Sequence, residues 1–225
     1  MSDHLQNNPA FRTVAIDGGA ATGKSSTARG LAVRLGFMHV DTGSHYRALT
    51  LLCIRQGVAP DDVAGIDKLL AASPLGMNVD KGTFDAKIVV DGTVPADADL
   101  RSDVVNASVS KYAAVPAVRN ALKSYQRGQR EIAVANGFKG LVMEGRDIGS
   151  VIFPDADVKI FLEADEATRA KRRAGEGQSD VVAERDRMDK TRKTAPLVCP
   201  EGAVRIDNSS MTLAEVIEKI ATLVG

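Results

Sequence analysis

Residues 13–25 read T-V-A-I-D-G-G-A-A-T-G-K-S. Thr13 to Ile16 is a short apolar, β-branched run, which predicts a buried strand. Gly18 to Ser25 then fits G-x-x-x-x-G-K-[ST]. In that template glycines let successive backbone N–H groups turn inward toward phosphate oxygens. Lys24 adds a mobile positive charge for the β- and γ-phosphates, and Ser25 a hydroxyl for Mg²⁺. Behind the loop, Ala28, Leu31, Ala32 and Leu35 recur at helical spacing. Strand, glycine loop and helix N-terminus therefore follow in order, and the helix dipole adds to the anion site.

Working outward, the chain alternates strands with helices. Phe37 to Val40 predicts a second strand, Asp41 to Ser44 a turn, and His45 to Gln56 a helix with Leu49, Leu52 and Cys53 on one face and Gly57 as its stop. Asp61 to Ala72 predicts another helix. Leu75–Val79 and Lys87–Val90, with turn residues between and after them, predict a small antiparallel insert. Pro116 opens a helix expected to run to about Ala135. Leu141–Met143, Val158–Leu162 and Val204–Ile206 predict three more strands. Asp165 can cap a helix that carries Arg169, Arg172 and Arg173 and is broken by Gly175 and Gly177. Thr212 and Glu215 form a capping box for a last helix. Five strands alternating with helices predict an α/β fold, three layers deep, with a central parallel sheet covered on both faces. Ligands should then gather at the carboxyl ends of the strands, where the glycine loop, Asp41-Thr42-Gly43 and Gly145-Arg146-Asp147 converge.

Lys+Arg and Asp+Glu number 29 each among 225 residues, so no global charge draws the chain to nucleic acid or to a membrane surface. No apolar run approaches the ~20 residues of a membrane span. Met1 to Arg12 has no apolar segment of the secretory kind. Cys53 and Cys199 lie far apart and outside metal-type spacing, which disfavours a disulfide or a zinc site. A cytoplasmic protein is expected, acting on small molecules and without nucleic-acid or membrane partners.

Arg47, Arg146, Arg185, Arg187 and Arg192 fall in loops and helix starts that face the expected ligand edge. Phosphoryl transfer needs several cations to neutralise developing charge, and arginine binds phosphate bidentately. The charged, glycine-broken segment suits a lid that excludes water from the transfer. The absence of an Asn-Lys-x-Asp segment argues against a guanine-reading switch protein. These residues point to a kinase of a small phosphorylated acceptor. A kinase of another small metabolite, or a nucleotide-binding protein without turnover, remains open at this point.

Further segments resemble the bacterial cytidylate kinase family of the nucleoside monophosphate kinases, over nearly the whole chain. They are A-I-D-G-G-A-A-T-G-K-S-S (15–26), D-T-G-S-H-Y-R (41–47), V-S-K-Y-A-A-V-P-A-V-R-N-A-L (109–122), E-G-R-D-I-G (144–149), F-P-D-A-D-V-K-I-F-L (153–162) and R-D-R-M-D-K-T-R-K-T-A-P-L (185–197). The resemblance implies ATP- and Mg²⁺-dependent phosphorylation of CMP or dCMP by a monomer. It implies a core (about 12–60, 116–174 and 195–225), a monophosphate-binding insert (about 61–115) and a short lid (about 175–194). Gly18, Gly19, Ala20, Ala21, Thr22, Gly23, Lys24, Ser25 and Ser26 would bind ATP, with Ser25 on the metal. Thr42, Arg47 and Arg146 would hold the CMP phosphate. Ser110, Arg119 and Asp147 would read cytosine, a carboxylate accepting from the 4-amino group and an arginine donating to O2 and N3. Arg185 and Asp189 would meet the sugar, and Arg192 a phosphate. Lys24, Arg146, Arg185 and Arg192 would carry catalysis. Three features depart from the family pattern. His45 stands at a usually apolar position, Met188 replaces a lid arginine, and the stretch between Arg173 and Arg185 is shorter by about one or two helical turns.

Overall fold

The computed structural model describes residues 11–175 and 182–225, and of residues 182–185 the backbone alone. Its elements run β1 (Arg12–Gly18), α1 (Lys24–Leu35), β2 (Met38–Asp41), α2 (Thr42–Arg55), α3 (Val63–Ala72), β3 (Leu75–Asp80), β4 (Asp85–Val90), α4 (Asp97–Leu100), α5 (Asp103–Tyr112), α6 (Pro116–Arg127), α7 (Gln129–Ala135), β5 (Gly140–Gly145), β6 (Val158–Glu163), α8 (Glu166–Gly175), α9 (Val182–Thr191), β7 (Val204–Asp207) and α10 (Leu213–Val224). The sheet order is β3-β4-β2-β5-β1-β6-β7, with every neighbouring pair parallel except β3 with β4.

The apolar run around Thr13–Ile16 becomes the innermost strand. From Thr13 to Gly18, β1 is buried on both faces, as a strand covered by helices on two sides must be. Val14 and Ile16 point into a cluster with Ala28 and Leu31 of α1 and Val216 and Ile220 of α10. Ala15 points the other way, with Met38, Leu141, Met143 and Ala133 of α7. A third cluster joins α2, α3, α5 and α6 over Ile88 and Val90 of β4. At Gly30 an added Cβ would lie 2.4 Å from Ile217 Cδ1, so this glycine sets how closely α1 and α10 pack.

Three expectations change. The sheet has seven strands, because the β3–β4 hairpin is continuous with it. β4 pairs with β2 at His39–Asp85 and Val40–Ala86, and burial of Ala86, Ile88 and Val90 gives it one apolar face. A free edge on β2 is thereby covered. Asp41 caps α2 through its Oδ1, which accepts from Ser44 N (3.2 Å), so the helix starts at Thr42 rather than His45. The helix expected over 116–135 divides at Gly128. Glycine is the poorest helix former after proline, and the Gln129 side chain donates to the Tyr125 carbonyl at the break. The capping box of α10 is present in full, as expected. Cys53 and Cys199 are free thiols. No helix among the described residues is long and apolar enough to cross a membrane. The expected helix break at Gly177, and residues 176–181 of the lid, lie outside the described residues.

Candidate active site

The strand ends converge as the alternation predicts. One cleft is lined by the glycine loop from Ala20 to Ser26, by Asp41–Gly43, by Glu144–Asp147, by Arg47, Arg101 and Ser110, and by Asp189 and Arg192 from the far side.

The loop is shaped by glycine at two points. An added Cβ at Gly18 would lie 2.3 Å from the Leu162 carbonyl oxygen, so only glycine lets β1 turn there beside β6. Gly23, with φ +86°, caps α1 in the left-handed region. Thr22 Oγ1 donates to the Gly19 carbonyl (3.0 Å), and Asn208 Nδ2 donates to the Thr22 carbonyl (2.9 Å). Lys24 Nζ donates to the Gly19 carbonyl (2.6 Å). Its ammonium is buried, and burial together with nearby Arg146 lowers its pKa from 10.5 to about 7. A phosphate in the loop would favour the charged form again. Gly18 and Gly19 form the base of the loop rather than the cleft wall.

Ser25 Oγ donates to Glu144 Oε2 (3.0 Å). Behind it, His39 bridges Asp85 Oδ1 (2.7 Å) and Glu144 Oε1 (3.5 Å). Burial opposes charge on this ring, but the two carboxylates outweigh it and push its pKa up to about 9. His39 is therefore an imidazolium at neutral pH. Glu144 and His39 were not singled out in the sequence. Glu144 does open the E-G-R-D segment at the end of a buried strand, a signal that a carboxylate there faces the ligand edge.

On the acceptor side, Thr42 Oγ1 donates to the Glu144 carbonyl (2.7 Å). Arg47 reaches over to the end of α4 and the first turn of α5, donating to the Leu100 carbonyl (2.9 Å) and Asn106 Oδ1 (2.6 Å). Arg119 pairs with Asp147 Oδ2 and donates to the Ala113 carbonyl (3.0 Å). Its guanidinium lies 5.4 Å from the Tyr46 ring centroid. Arg119 is thus buried directly against Asp147, the other charged residue expected to read the base. Burial raises the Asp147 pKa against the pull of Arg119 and Arg192. Arg146 Nε is 2.8 Å from Asp189 Oδ2, and Arg192 lies 3.7 Å from Asp189 and 3.8 Å from Asp147.

The helix α9 therefore leans into the cleft through charges. Its Asp186, which sequence reasoning missed, accepts from the Ala20 N–H (2.8 Å) and pairs with Arg169. Of the predicted residues, Thr42, Arg47, Ser110, Arg146, Asp147, Asp189 and Arg192 share one cleft with Lys24 and Ser25. Arg185 falls on the backbone of α9, and its side chain lies outside the described residues.

The sequence model of a family described as cytidylate kinase matches residues 14–225. Among relatives, a cytidylate kinase of Pelotomaculum thermopropionicum is 41% identical over 96% of this chain and 97% of its own. One of Streptomyces griseus is 43% identical over 100% and 97%, and one of Mycobacterium avium 42% identical over 94% of each.

Proposed function

The chain belongs to the cytidylate kinase family, and we infer that it transfers the γ-phosphoryl group of ATP to CMP or dCMP, giving ADP and CDP or dCDP. The observation that carries this reading is the placement of Asp147. A buried carboxylate fixed by Arg119 borders the same cleft as the phosphate loop. It can accept from the 4-amino group of cytosine, while the 4-oxo group of uracil would meet it acceptor to acceptor.

ATP enters with its phosphates against the loop, where backbone N–H groups, the α1 N-terminus and Lys24 meet them. The donor set near Ser25 fits Mg²⁺. It is a hydroxyl beside a carboxylate, with Ser25 Oγ 3.0 Å from Glu144 Oε2 and both residues on the cleft wall. Hard cations with few protein ligands bind in this way alongside substrate phosphates. Ser25 and Glu144 would hold the ion, which when bound neutralises charge on the β- and γ-phosphates. On this reading Thr42, Arg47 and Arg146 hold the CMP phosphate, and Asp189 meets the sugar. Arg119 acts here by holding Asp147 in register. Lys24, Arg146 and Arg192, with Arg185 of α9, stabilise the charge that develops during in-line transfer, and positioning supplies the rest. The reading carries with it a division into core, insert (61–115) and lid (175–194), and action as a cytoplasmic monomer.

The test is an ADP-release assay with ATP, Mg²⁺ and each of CMP, dCMP, UMP, AMP and GMP. Turnover confined to CMP and dCMP is expected. Turnover led by another monophosphate would remove Asp147 as base reader, and no turnover with any of the five would overturn the kinase reading.

A further inference from the structure

Asp17 sits at the end of the central strand, with no solvent exposure, and a carboxylate there is physically expensive. Val or Ile at that position would add to the core. Burial instead pushes the Asp17 pKa from 3.8 up to about 6, with neighbouring Asp147 adding to the rise. Its two oxygens are both committed. Oδ1 accepts from the Ile148 N–H and Oδ2 from the Gly149 N–H, each at 2.8 Å. Those N–H groups open a wide, π-type helical turn, Ile148–Ile152, which starts directly after Asp147. The first N–H groups of such a turn have no partner within it and require acceptors from elsewhere.

The turn closes back onto the same residue. Val151 N and Ile152 N donate to the Asp147 carbonyl (2.9 and 3.2 Å). Asp147 is thus fixed from two sides, its carboxylate by Arg119 and its backbone by a turn hung on Asp17. Only aspartate offers two acceptor oxygens at this reach with no competing donor. Asparagine has one, and its amide NH₂ would face an N–H. Asp17 also directly precedes Gly18, so the strand that launches the phosphate loop sets the height of the base-reading turn.

We propose that Asp17 is a positioning residue for base selection, holding Asp147 in register with the phosphate loop through the Ile148 and Gly149 amides. The proposal rests on Asp147 reading the acceptor base. It makes Asp17 a determinant of which monophosphate is used, although Asp17 itself does not line the cleft.

The experiment compares CMP and UMP kinetics in the wild type, Asp17→Asn, Asp147→Asn and the double variant, with KM for ATP measured in each. Asp17→Asn is expected to lower the CMP/UMP ratio of kcat/KM about tenfold, the worth of one charge-assisted hydrogen bond, with KM for ATP unchanged. In the Asp147→Asn background the same change should leave the ratio where it is, because residues acting through one contact are not additive. Should Asp17→Asn not fold, Asp17→Ser, which keeps a single acceptor oxygen, takes its place. A wild-type protein that does not distinguish CMP from UMP would remove the premise about Asp147. A discriminating wild type whose ratio survives Asp17→Asn, with only thermal stability lost, would overturn the proposal itself. So would equal losses in both backgrounds.

Discussion

Asp147 and Asp189 face one another across the cleft, and each is paired with arginine, but different things stand behind them. Asp147 follows β5, a strand buried along its whole length, and leads into a turn packed through Ile148 and Ile152 into the core. Asp189 lies on α9, a helix with few apolar residues. That helix reaches the body of the protein through Asp186 on the glycine loop, Asp189 on Arg146, and the pairing of Arg192 just beyond its end. Close-packed apolar contacts fix one arrangement. Ion pairs at a cleft can be exchanged for contacts with substrate phosphates at small net change. The side that carries Asp147 is therefore built to be rigid, and the side that carries α9 is held by exchangeable ion pairs.

The strongest way to break this comparison is to remove a charge from the rigid side. Lys24→Ala should lower kcat by about 10²–10³-fold, the usual loss when a preorganised group that stabilises transition-state charge is deleted. Its thermal stability should hold, because the ammonium contributes mainly to the loop. Steady-state kinetics alongside a melting curve checks both, and near-normal turnover would remove Lys24 from the transfer step.

Asp147→Asn comes next. The side chain keeps its size, but the carboxamide can present an N–H to either base. Discrimination for CMP over UMP should fall by about 1–3 kcal/mol, a factor of roughly 5 to 150. ATP binding, read by titration calorimetry, should stay as it was. An unchanged CMP/UMP ratio would place base reading elsewhere on the rigid side.

On the α9 side, Asp186→Asn removes the negative charge that Arg169 and the Ala20 N–H share. A hydrogen bond involving a charged group contributes about 1.5 kcal/mol or more, so the undocked population of α9 should grow about tenfold. Trypsin cleavage within residues 185–193 follows that population where opening is fast, and the same cut should accelerate in the wild type at high salt. Equal cleavage rates for variant and wild type would mean that α9 is held by packing after all, and the contrast between the two sides would fail.

What could be read from the sequence follows the same division. The glycine loop, Thr42, Arg146 and Asp147 were legible because a local template carries them: a strand, a turn, and a residue of the required type directly after it. Asp17 and Glu144 lie inside quoted segments but were passed over. Their roles depend on partners across the sheet, Ile148 and Gly149 for one and Ser25 and His39 for the other. Asp186 was invisible for the same reason, since nothing near it in the chain implies Ala20 or Arg169. The hairpin's attachment to the sheet depends on β2 and β4 meeting across more than forty residues, and periodicity within each strand says nothing about that pairing. Arg119 was found by resemblance, yet its position against Asp147 is set by Ala113 and Tyr46 and needed coordinates to see.

The smallest effect at neutral pH belongs to His45, on the rigid side's own packing. It is fully buried, and neither ring nitrogen has a hydrogen-bond partner. The ring meets Tyr125 edge-on at 5.1 Å. Burial lowers its pKa from 6.5 to about 4, a shift that nearby Asp41 opposes and His39 reinforces. The folded protein thus holds His45 neutral where the unfolded chain would protonate it. Between pH 6.5 and about 4 the unfolded state binds more protons, so stability falls as the pH is lowered through that window and levels off below it. His45→Leu removes both the orphaned nitrogens and the titration. It should add about 1 kcal/mol at pH 7, roughly 2–4 °C in Tm for a domain of this size. The gap from wild type should then widen steadily from pH 6.5 toward 4. Melting curves across that range check it. A gap that stays constant with pH would mean that His45 is solvated or partnered in solution, and the rigid side would be looser at α2 than its packing implies.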